Sequence, residues 1–351
     1  MPVNTREIDK LLQIASEQKA SDLHLLVGKP PILRIDGQLT ELTEFSPLTP
    51  DDTQRLVFSI LTKEQQQKFT LEREMDLSYG LEGISRYRVN IHWEKGNVGL
   101  VSRVVKSTVP TMEELALPEV VYQLTRIKQG LILMTGPTGC GKSTTLAAMI
   151  NLINKERNAH IITLEDPIEY LFQSDKSYIR QRQYEKDFLS FADALKHVVR
   201  QDPNVIMVGE MRDLETIAAA ITVAETGHLV LATLHTLNAA QTIDRIIDVF
   251  PPHQQEQVRL QLALELRGVI SQQLIPKEGG GRVAAREIMI NTPAVSNLIR
   301  ENKVAQLKSV IQTSADEGMV SIDQDLKRLH QENIITKETA QAYMMNPKSL
   351  E

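Results

Sequence analysis

The stretch Leu131-Ile-Leu-Met-Thr-Gly-Pro-Thr-Gly-Cys-Gly-Lys-Ser-Thr-Thr145 constrains this chain more than any other. A short apolar run, long enough for a buried strand, ends abruptly in a glycine-rich loop, and Thr144 to Ile150 has helix-forming composition. The pattern G-x-x-x-x-G-K-S runs from Gly136 to Ser143, and its fixed positions all stand between strand and helix, a context that an ordinary glycine turn lacks. This is the signature of a phosphate-binding loop. Gly136, Pro137, Thr138, Gly139, Cys140, Gly141, Lys142, Ser143 and Thr144 are the candidate binding residues for the phosphates of ATP or GTP. Backbone N–H groups and the helix N-terminus surround the phosphates, Lys142 reaches the β- and γ-phosphates, and the Ser143 hydroxyl ligates Mg²⁺.

A chain of 351 residues, 42% hydrophobic, fits one large or two modest globular domains, and two is the expectation. The net charge of −6 argues against a protein that coats nucleic acid by bulk charge and favours protein partners. The single cysteine, Cys140, lies inside the phosphate loop, so no intrachain disulfide or cysteine metal cluster forms, which points to the cytoplasm. Met1 to Lys10 carries charges where a signal peptide needs apolar residues, and no apolar run approaches the ~20 residues of a membrane span. Membrane association is therefore expected only through partners.

In the N-terminal third, Ile8, Leu11, Leu12 and Ala15 repeat at helical spacing, and Leu23 to Val27 reads as a strand. Ile32 to Ile35, Asp36-Gly37 and Gln38-Leu39 read as a hairpin within a small mixed sheet. Pro50 to Leu61 and Glu64 to Phe69 look like surface helices, and 75–79, 85–91 and 98–105 like further strands. Arg86, Arg88 and Arg103 lie on these strands without acidic neighbours in sequence. Beyond solubility, such guanidinium groups suit neutralising γ-phosphate charge in a neighbouring subunit's site. Lys106 to Pro110 has the polar character and terminal proline of a linker.

After the phosphate loop, His160 to Leu164 is a short apolar strand that delivers Glu165, Asp166 and Glu169 beyond its C-terminal end, the edge where open parallel sheets bind ligands. These carboxylates suit polarising water and holding the shell around Mg²⁺, against the plainer reading of a solvated acidic loop. Asn204 to Gly209 is a third strand ending in Glu210, where P-loop ATPases keep a second acidic site. Whether Glu165 or Glu210 activates the water stays open. Gly227 to His235 is a fourth strand with a histidine at each end. Both enter the candidate catalytic set, His235 at the end facing the γ-phosphate and His228 at the other. Alternating strands and helical segments such as 188–200 and 214–225 mean βα units and a largely parallel sheet. From Pro252 the pattern reads helical: Val258, Leu262, Leu266 and Ile270 recur at near-helical spacing, and amphipathic helices dominate to the end.

With these pieces in order, the chain resembles the type IV pilus retraction ATPases, members of the secretion-ATPase superfamily of P-loop hexamers. The resemblance spans nearly the whole chain. It rests on Ala20-Ser-Asp-Leu-His-Leu25, the phosphate loop, Thr163-Leu-Glu-Asp-Pro-Ile-Glu169, Val208-Gly-Glu-Met-Arg-Asp-Leu-Glu-Thr216, and Ala224-Glu-Thr-Gly-His-Leu-Val230 with Thr233-Leu-His235. It implies an α/β chain: a PAS-like N-terminal α+β domain (1–105), a linker (106–112), and a RecA-like ATPase domain with C-terminal helices (113–351). It also implies a cytoplasmic homohexamer at the inner-membrane face of the pilus base. Its partners would be a membrane-embedded platform protein and a paralogous retraction ATPase, with no direct nucleic acid. ATP and Mg²⁺ would sit between domains of adjacent chains, with Arg88 and Arg103 approaching the nucleotide and Lys142, Glu165, Glu210, His228 and His235 completing the catalytic set. Ser143, Glu165, Asp166 and Glu210 would serve the metal.

The related assembly and secretion ATPases usually carry an additional N-terminal region and a four-cysteine metal element, and this sequence has neither. The retraction motif Ala-Ile-Arg-Asn-Leu-Ile stands here as Ala294-Val-Ser-Asn-Leu-Ile299, with Ser296 in place of arginine, which leaves the accessory retraction paralogue as an alternative. A nucleic-acid translocase is disfavoured by net acidity and by an aromatic content of 4%, and a nucleotide-binding regulator with little turnover is the remaining reading.

Overall fold

In the computed structural model, which describes residues 6–35, 37–81, 84–105 and 108–350, the chain divides into two units. One comprises Met1–Thr108 with Glu169–Leu171, the other Val109–Ile168 with Phe172–Glu351. The predicted linker residues Lys106 and Ser107, and Asp36 of the predicted hairpin, lie outside the described residues.

The first unit begins with α1 (Glu7–Glu17), whose Ile8, Leu11, Leu12 and Ala15 are buried, as their spacing requires. Six strands follow in chain order, β1 (Asp22–Leu25), β2 (Ile32–Ile35), β3 (Gln38–Glu41), β4 (Glu74–Leu81), β5 (Ser85–Glu94) and β6 (Asn97–Val105). They form one sheet in the order β3-β2-β1-β6-β5-β4. Every neighbouring pair is antiparallel, so the mixed sheet expected from the sequence is not what forms. Short turns and hairpins join most of these strands, and a parallel pairing needs a long crossover. The helices α2 (Pro50–Phe58) and α3 (Lys63–Glu72) are each started by a threonine cap, Thr49 and Thr62, in a capping box. They are not purely surface helices, because Leu56, Val57 and Phe69 are buried in the core.

The second unit opens with α4 (Glu119–Arg126), then β7 (Gly130–Thr135), α5 (Lys142–Glu156), β8 (His160–Glu165), β9 (Tyr178–Gln183), α6 (Phe191–Val198), β10 (Val205–Val208), α7 (Leu214–Glu225), β11 (Leu229–Leu234) and α8 (Ala239–Asp248). It continues with α9 (Pro252–Glu265), β12 (Leu266–Pro276), β13 (Arg282–Ile290), α10 (Pro293–Arg300), α11 (Leu307–Thr313), α12 (Ile322–Gln331) and α13 (Lys337–Tyr343). Its seven-stranded sheet runs β13-β12-β7-β11-β10-β8-β9, parallel from β12 to β9 with β13 antiparallel at one edge.

Two apolar layers explain why β7, β8, β10 and β11 read as continuous apolar runs. Leu131 and Leu133 pack on one face with Leu195, Ile217 and Ile243 of α6 to α8, while Ile132 and Met134 pack on the other with Val121, Leu146 and Ile150 of α4 and α5. A strand buried on both faces loses the alternation of a half-exposed one. The same physics corrects one expectation. Leu266 and Ile270 do not continue α9; the helix stops at Glu265 and they enter β12, beside β7. A buried strand rich in β-branched residues shows no period of two, so four apolar residues at helical spacing are ambiguous there. The polar edge strand β9 had no apolar signal to reveal it.

Among the described residues no helix is long and apolar enough to cross a membrane. Leu133 is fully buried in the central strand, so Leu133→Ala is expected to lower the stability of the second unit by ~2–5 kcal/mol, read from denaturant unfolding. A loss below ~1 kcal/mol would mean that the layer around β7 collapses onto the cavity.

Candidate nucleotide site

Every parallel strand of the second unit ends at the same edge, and the register aligns their ends. Thr135 of β7 pairs with Leu234 of β11 and Ser271 of β12, and Val208 of β10 pairs with Leu164 of β8 and Ala232 of β11. The loop from Gly136, Glu165, Glu210 and His235 therefore gather there, as parallel topology demands.

The phosphate loop departs from Thr135, whose hydroxyl donates to Ser271 Oγ at 2.8 Å. Gly136 has φ +140°, and a Cβ there would stand 2.2 Å from the Gln272 carbonyl oxygen. Gly141 has φ +90°, and its Cβ would stand 2.8 Å from Gln272 Nε2. Only glycine satisfies the backbone angle and the close approach together. Helix α5 starts immediately afterwards with Gly141 as its cap, which has no side chain to occupy the first-turn N–H groups. Those donors and the helix dipole favour an anion. Lys142 is buried, and its ammonium donates to the carbonyls of Gly136 at 2.7 Å and Pro137 at 3.1 Å, which holds it across the loop. Ser143 and Thr144 are half-buried in the first turn, Pro137, Thr138 and Gly139 are exposed, and burial raises the pKa of the Cys140 thiol.

Glu165 is the last residue of β8 and is buried. Its Oε1 accepts from Thr163 Oγ1 at 2.6 Å and Gln181 Nε2 at 3.0 Å, so the carboxylate is oriented by its own strand and by β9. Asp166, the next residue, is exposed, and Glu169 belongs to the first unit. After β10, the Gly209 N–H donates to the Leu164 carbonyl at 2.7 Å and the Thr233 hydroxyl donates to the Gly209 carbonyl at 2.5 Å, which fixes the turn that presents Glu210. Glu210 Oε1 lies 3.1 Å from His235 Nε2, and its Oε2 lies 2.8 Å from the Arg212 guanidinium. Glu210, Arg212, Asp166 and Tyr184 line a cavity of about 270 Å³. Burial acts to raise the Glu210 pKa, but the hydrogen bond and charge of Arg212, with His235, outweigh it and hold the carboxyl below its usual range.

His228 is not brought to this cluster. It precedes β11 at the opposite edge, where its carbonyl accepts from the Gly130 N–H at 2.9 Å and its Nδ1 lies 3.1 Å from the Val223 carbonyl. In the first unit, Arg88 stands directly across from Arg103 between β5 and β6, and both are exposed. Arg103 Nε donates to Asp22 Oδ1 at 3.0 Å, whereas Arg88 makes no ion pair among the described residues. Like charges directly opposite on a sheet are destabilising. Asp22 offsets that cost for one arginine only.

The model of the type II/IV secretion system protein family matches residues 106–280. The type IV pilus retraction ATPase PilT of Pseudomonas aeruginosa is 47% identical over 343 residues, covering 98% of this chain and 99% of PilT. A crystal structure of the pilus retraction motor PilT with bound ADP has a TM-score of 0.92 at 47% identity, covering 98% of both chains. The chain belongs to the type IV pilus retraction ATPases of the type II/IV secretion family. The type IV pilus ATPase PilU of Pseudomonas aeruginosa is also similar, 41% identical over 96% of this chain and 88% of PilU.

This retraction ATPase thus presents, at one sheet edge, a phosphate loop and a cluster in which Glu210 is paired with Arg212 and lies within hydrogen-bonding distance of His235. Arg212 is absent from the residues that the sequence pattern marks as catalytic; the signal for it is a cation two residues beyond a carboxylate that closes a strand. Thr163 and Gln181, which orient Glu165, carry no chemistry that a sequence pattern would flag.

Because the Glu210 pKa is depressed in the fold, its pairing stabilises the protein above the unfolded glutamate value of about 4.3 and is lost as pH falls through the lower folded value. The melting-temperature difference between the wild type and Glu210→Gln should therefore persist from pH 8 to 5 and shrink only below about 4.3. A difference that vanishes between pH 7 and 6 would contradict a depressed pKa.

Proposed function

We propose that this chain is the subunit of an ATP-hydrolysing motor that powers type IV pilus retraction, with residues 1–105 as its PAS-like domain and 113–351 as its RecA-like ATPase domain. The observation that carries the reading is a complete phosphate loop set beside the Glu210 cluster at one sheet edge, in a chain matched from end to end by a pilus retraction ATPase. The accessory retraction role of PilU is the related alternative, and the 47% and 41% identities favour PilT.

The loop binds and orients. Its first-turn N–H groups and Lys142 hold the phosphates of ATP, and Lys142 exchanges the Gly136 and Pro137 carbonyls for phosphate oxygens. Glu210, kept ionised by Arg212 and His235, accepts a proton from the attacking water or positions it, while Glu165 is the second carboxylate able to do so. His235, in contact with Glu210, links the end of β11 to the same point.

Among the described residues no group of three or more His, Cys, Asp and Glu side chains could hold a metal ion alone. Mg²⁺ arriving with the nucleotide would take its ligands mainly from phosphate and water oxygens, with the Ser143 hydroxyl as the protein ligand and Glu165, Asp166 and Glu210, at or just beyond the ends of β8 and β10, as carboxylates available to its hydration shell. When bound, Mg²⁺ neutralises charge on the phosphates.

Arg88 and Arg103 serve the site of an adjacent subunit in a homohexamer, which accounts for two like charges being tolerated side by side in the first unit. Domain movement coupled around the ring then acts on a membrane-embedded platform protein.

Wild-type protein is expected to hydrolyse ATP, Lys142→Ala to lose nucleotide binding, and Glu210→Gln to bind ATP while hydrolysis falls roughly 10²- to 10⁴-fold. A wild type no faster than either variant would remove the motor reading and leave a nucleotide-binding regulator. Mixing subunits of Lys142→Ala with subunits of Arg88→Ala/Arg103→Ala, each inactive alone, should restore part of the activity, because some interfaces then combine an intact loop with intact arginines. No recovery on mixing, with assembly verified by sedimentation, would mean that the arginines do not act on the nucleotide of the adjacent subunit.

A further inference from the structure

Gln272 lies on β12 one residue beyond the Ser271–Thr135 pair, directly under the start of the phosphate loop, and is buried. Its Nε2 donates to the Cys140 carbonyl at 2.6 Å. Its Oε1 accepts from Thr145 Oγ1 at 3.0 Å and from Arg286 Nε at 3.1 Å. Chemistry leaves this amide one orientation. A guanidinium only donates, so the atom facing Arg286 is the oxygen; a carbonyl only accepts, so the atom facing Cys140 is the nitrogen. Arg286 is fixed in turn by the Leu115 carbonyl at 2.8 Å and the Ala116 carbonyl at 3.2 Å, and its own N–H donates to Asp325 Oδ2 of α12 at 2.8 Å.

Holding the Cys140 carbonyl has a consequence across one peptide plane. In a trans peptide the C=O and the following N–H point in opposite directions. With the Cys140 oxygen drawn down onto Gln272, the Gly141 N–H points away from Gln272. The bonds to Cys140 and Thr145 bracket Lys142 and Ser143, and the two glycines whose added Cβ would strike Gln272 are Gly136 and Gly141. We propose that Gln272, oriented by Arg286, is a positioning residue that holds the phosphate loop in its nucleotide-binding conformation and so sets nucleotide affinity from beneath it. This rests on the loop being the ATP site proposed above.

The deciding variant is Gln272→Glu in the full chain, measured by calorimetric titration with ADP, by steady-state ATP hydrolysis, and by melting without nucleotide. A glutamate keeps the acceptor for Thr145 and gives the buried Arg286 an ion-pair partner, so a purely structural role leaves the melting temperature and ADP affinity at or above wild type. Positioning predicts a different result, because the donor to Cys140 is lost and a carboxylate faces its carbonyl. ADP dissociation constant and ATP KM then rise about tenfold or more with kcat less affected, while the melting temperature holds. If Gln272→Glu does not fold, Gln272→Met, similar in length and without a donor, carries the same expectation for ADP. Wild-type ADP affinity in either folded variant overturns the proposal. The two readings fail separately: a wild type that binds ADP without hydrolysing ATP loses the motor function and leaves this inference standing, and a wild type that binds no ADP ends both.

Discussion

The parallel register of β12, β7, β11, β10 and β8 is the constraint on which the rest depends. Parallel strands begin at one edge of a sheet and end at the other, so each crossover returns the chain to the same side and every strand delivers its following residue to one line. Glycine-rich loop, Glu165, Glu210 and His235 are far apart in sequence and adjacent only through that geometry. Burial of both sheet faces makes the register rigid: a slip of one residue would exchange the apolar layers formed by Leu131 and Leu133 and by Ile132 and Met134.

At that edge, two kinds of order are superposed. The loop itself is a backbone device, in which helix α5 starts without a side-chain cap and leaves its N–H groups for an anion. The carboxylates are a side-chain device, and they are treated differently. Glu165 is buried and accepts from the neutral donors of Thr163 and Gln181, whereas Glu210 is paired with the Arg212 guanidinium, lies beside His235 and lines a cavity. A carboxylate kept ionised by Arg212 is a weaker base than a free one, yet it stays in its accepting form across the neutral range. That makes Glu210 suited to orienting water and accepting its proton once charge develops on the phosphates.

How far the sequence could be read follows from these same features. The phosphate loop is legible because its chemistry is local: glycines, lysine and serine must stand at fixed spacing for the backbone to wrap an anion. Glu165 and Glu210 are legible as residues closing apolar runs. Strand direction, which the sequence supplies, sets His228 at the end of β11 away from the loop, and its place in the catalytic set is what the geometry does not support. Arg88 and Arg103 could be listed as strand arginines, but their standing opposite each other is a matter of β5–β6 register. The largest misreading, of Leu266 and Ile270 as helical, hid Gln272 as well, because a residue assigned to a helix gives no reason to look beneath the loop.

The start of β12 also involves Ser296, which stands where the retraction motif has arginine. Its hydroxyl donates to the Ala263 carbonyl in the last turn of α9 at 2.8 Å, and Asn291 Nδ2 donates to the same carbonyl at 2.9 Å and to the Leu266 carbonyl at 2.8 Å. These bonds satisfy carbonyls that a helix end leaves without intrahelical partners, and they do so where α9 gives way to β12. Serine is short enough to reach that carbonyl from α10, a bond to which arginine would bring a longer side chain and a charge. The substitution therefore acts at the origin of β12, and Gln272 acts further along the same strand under the phosphate loop. One strand, added to the edge of the nucleotide-binding strands, begins where Asn291 and Ser296 close the end of α9 and carries the amide on which the loop rests.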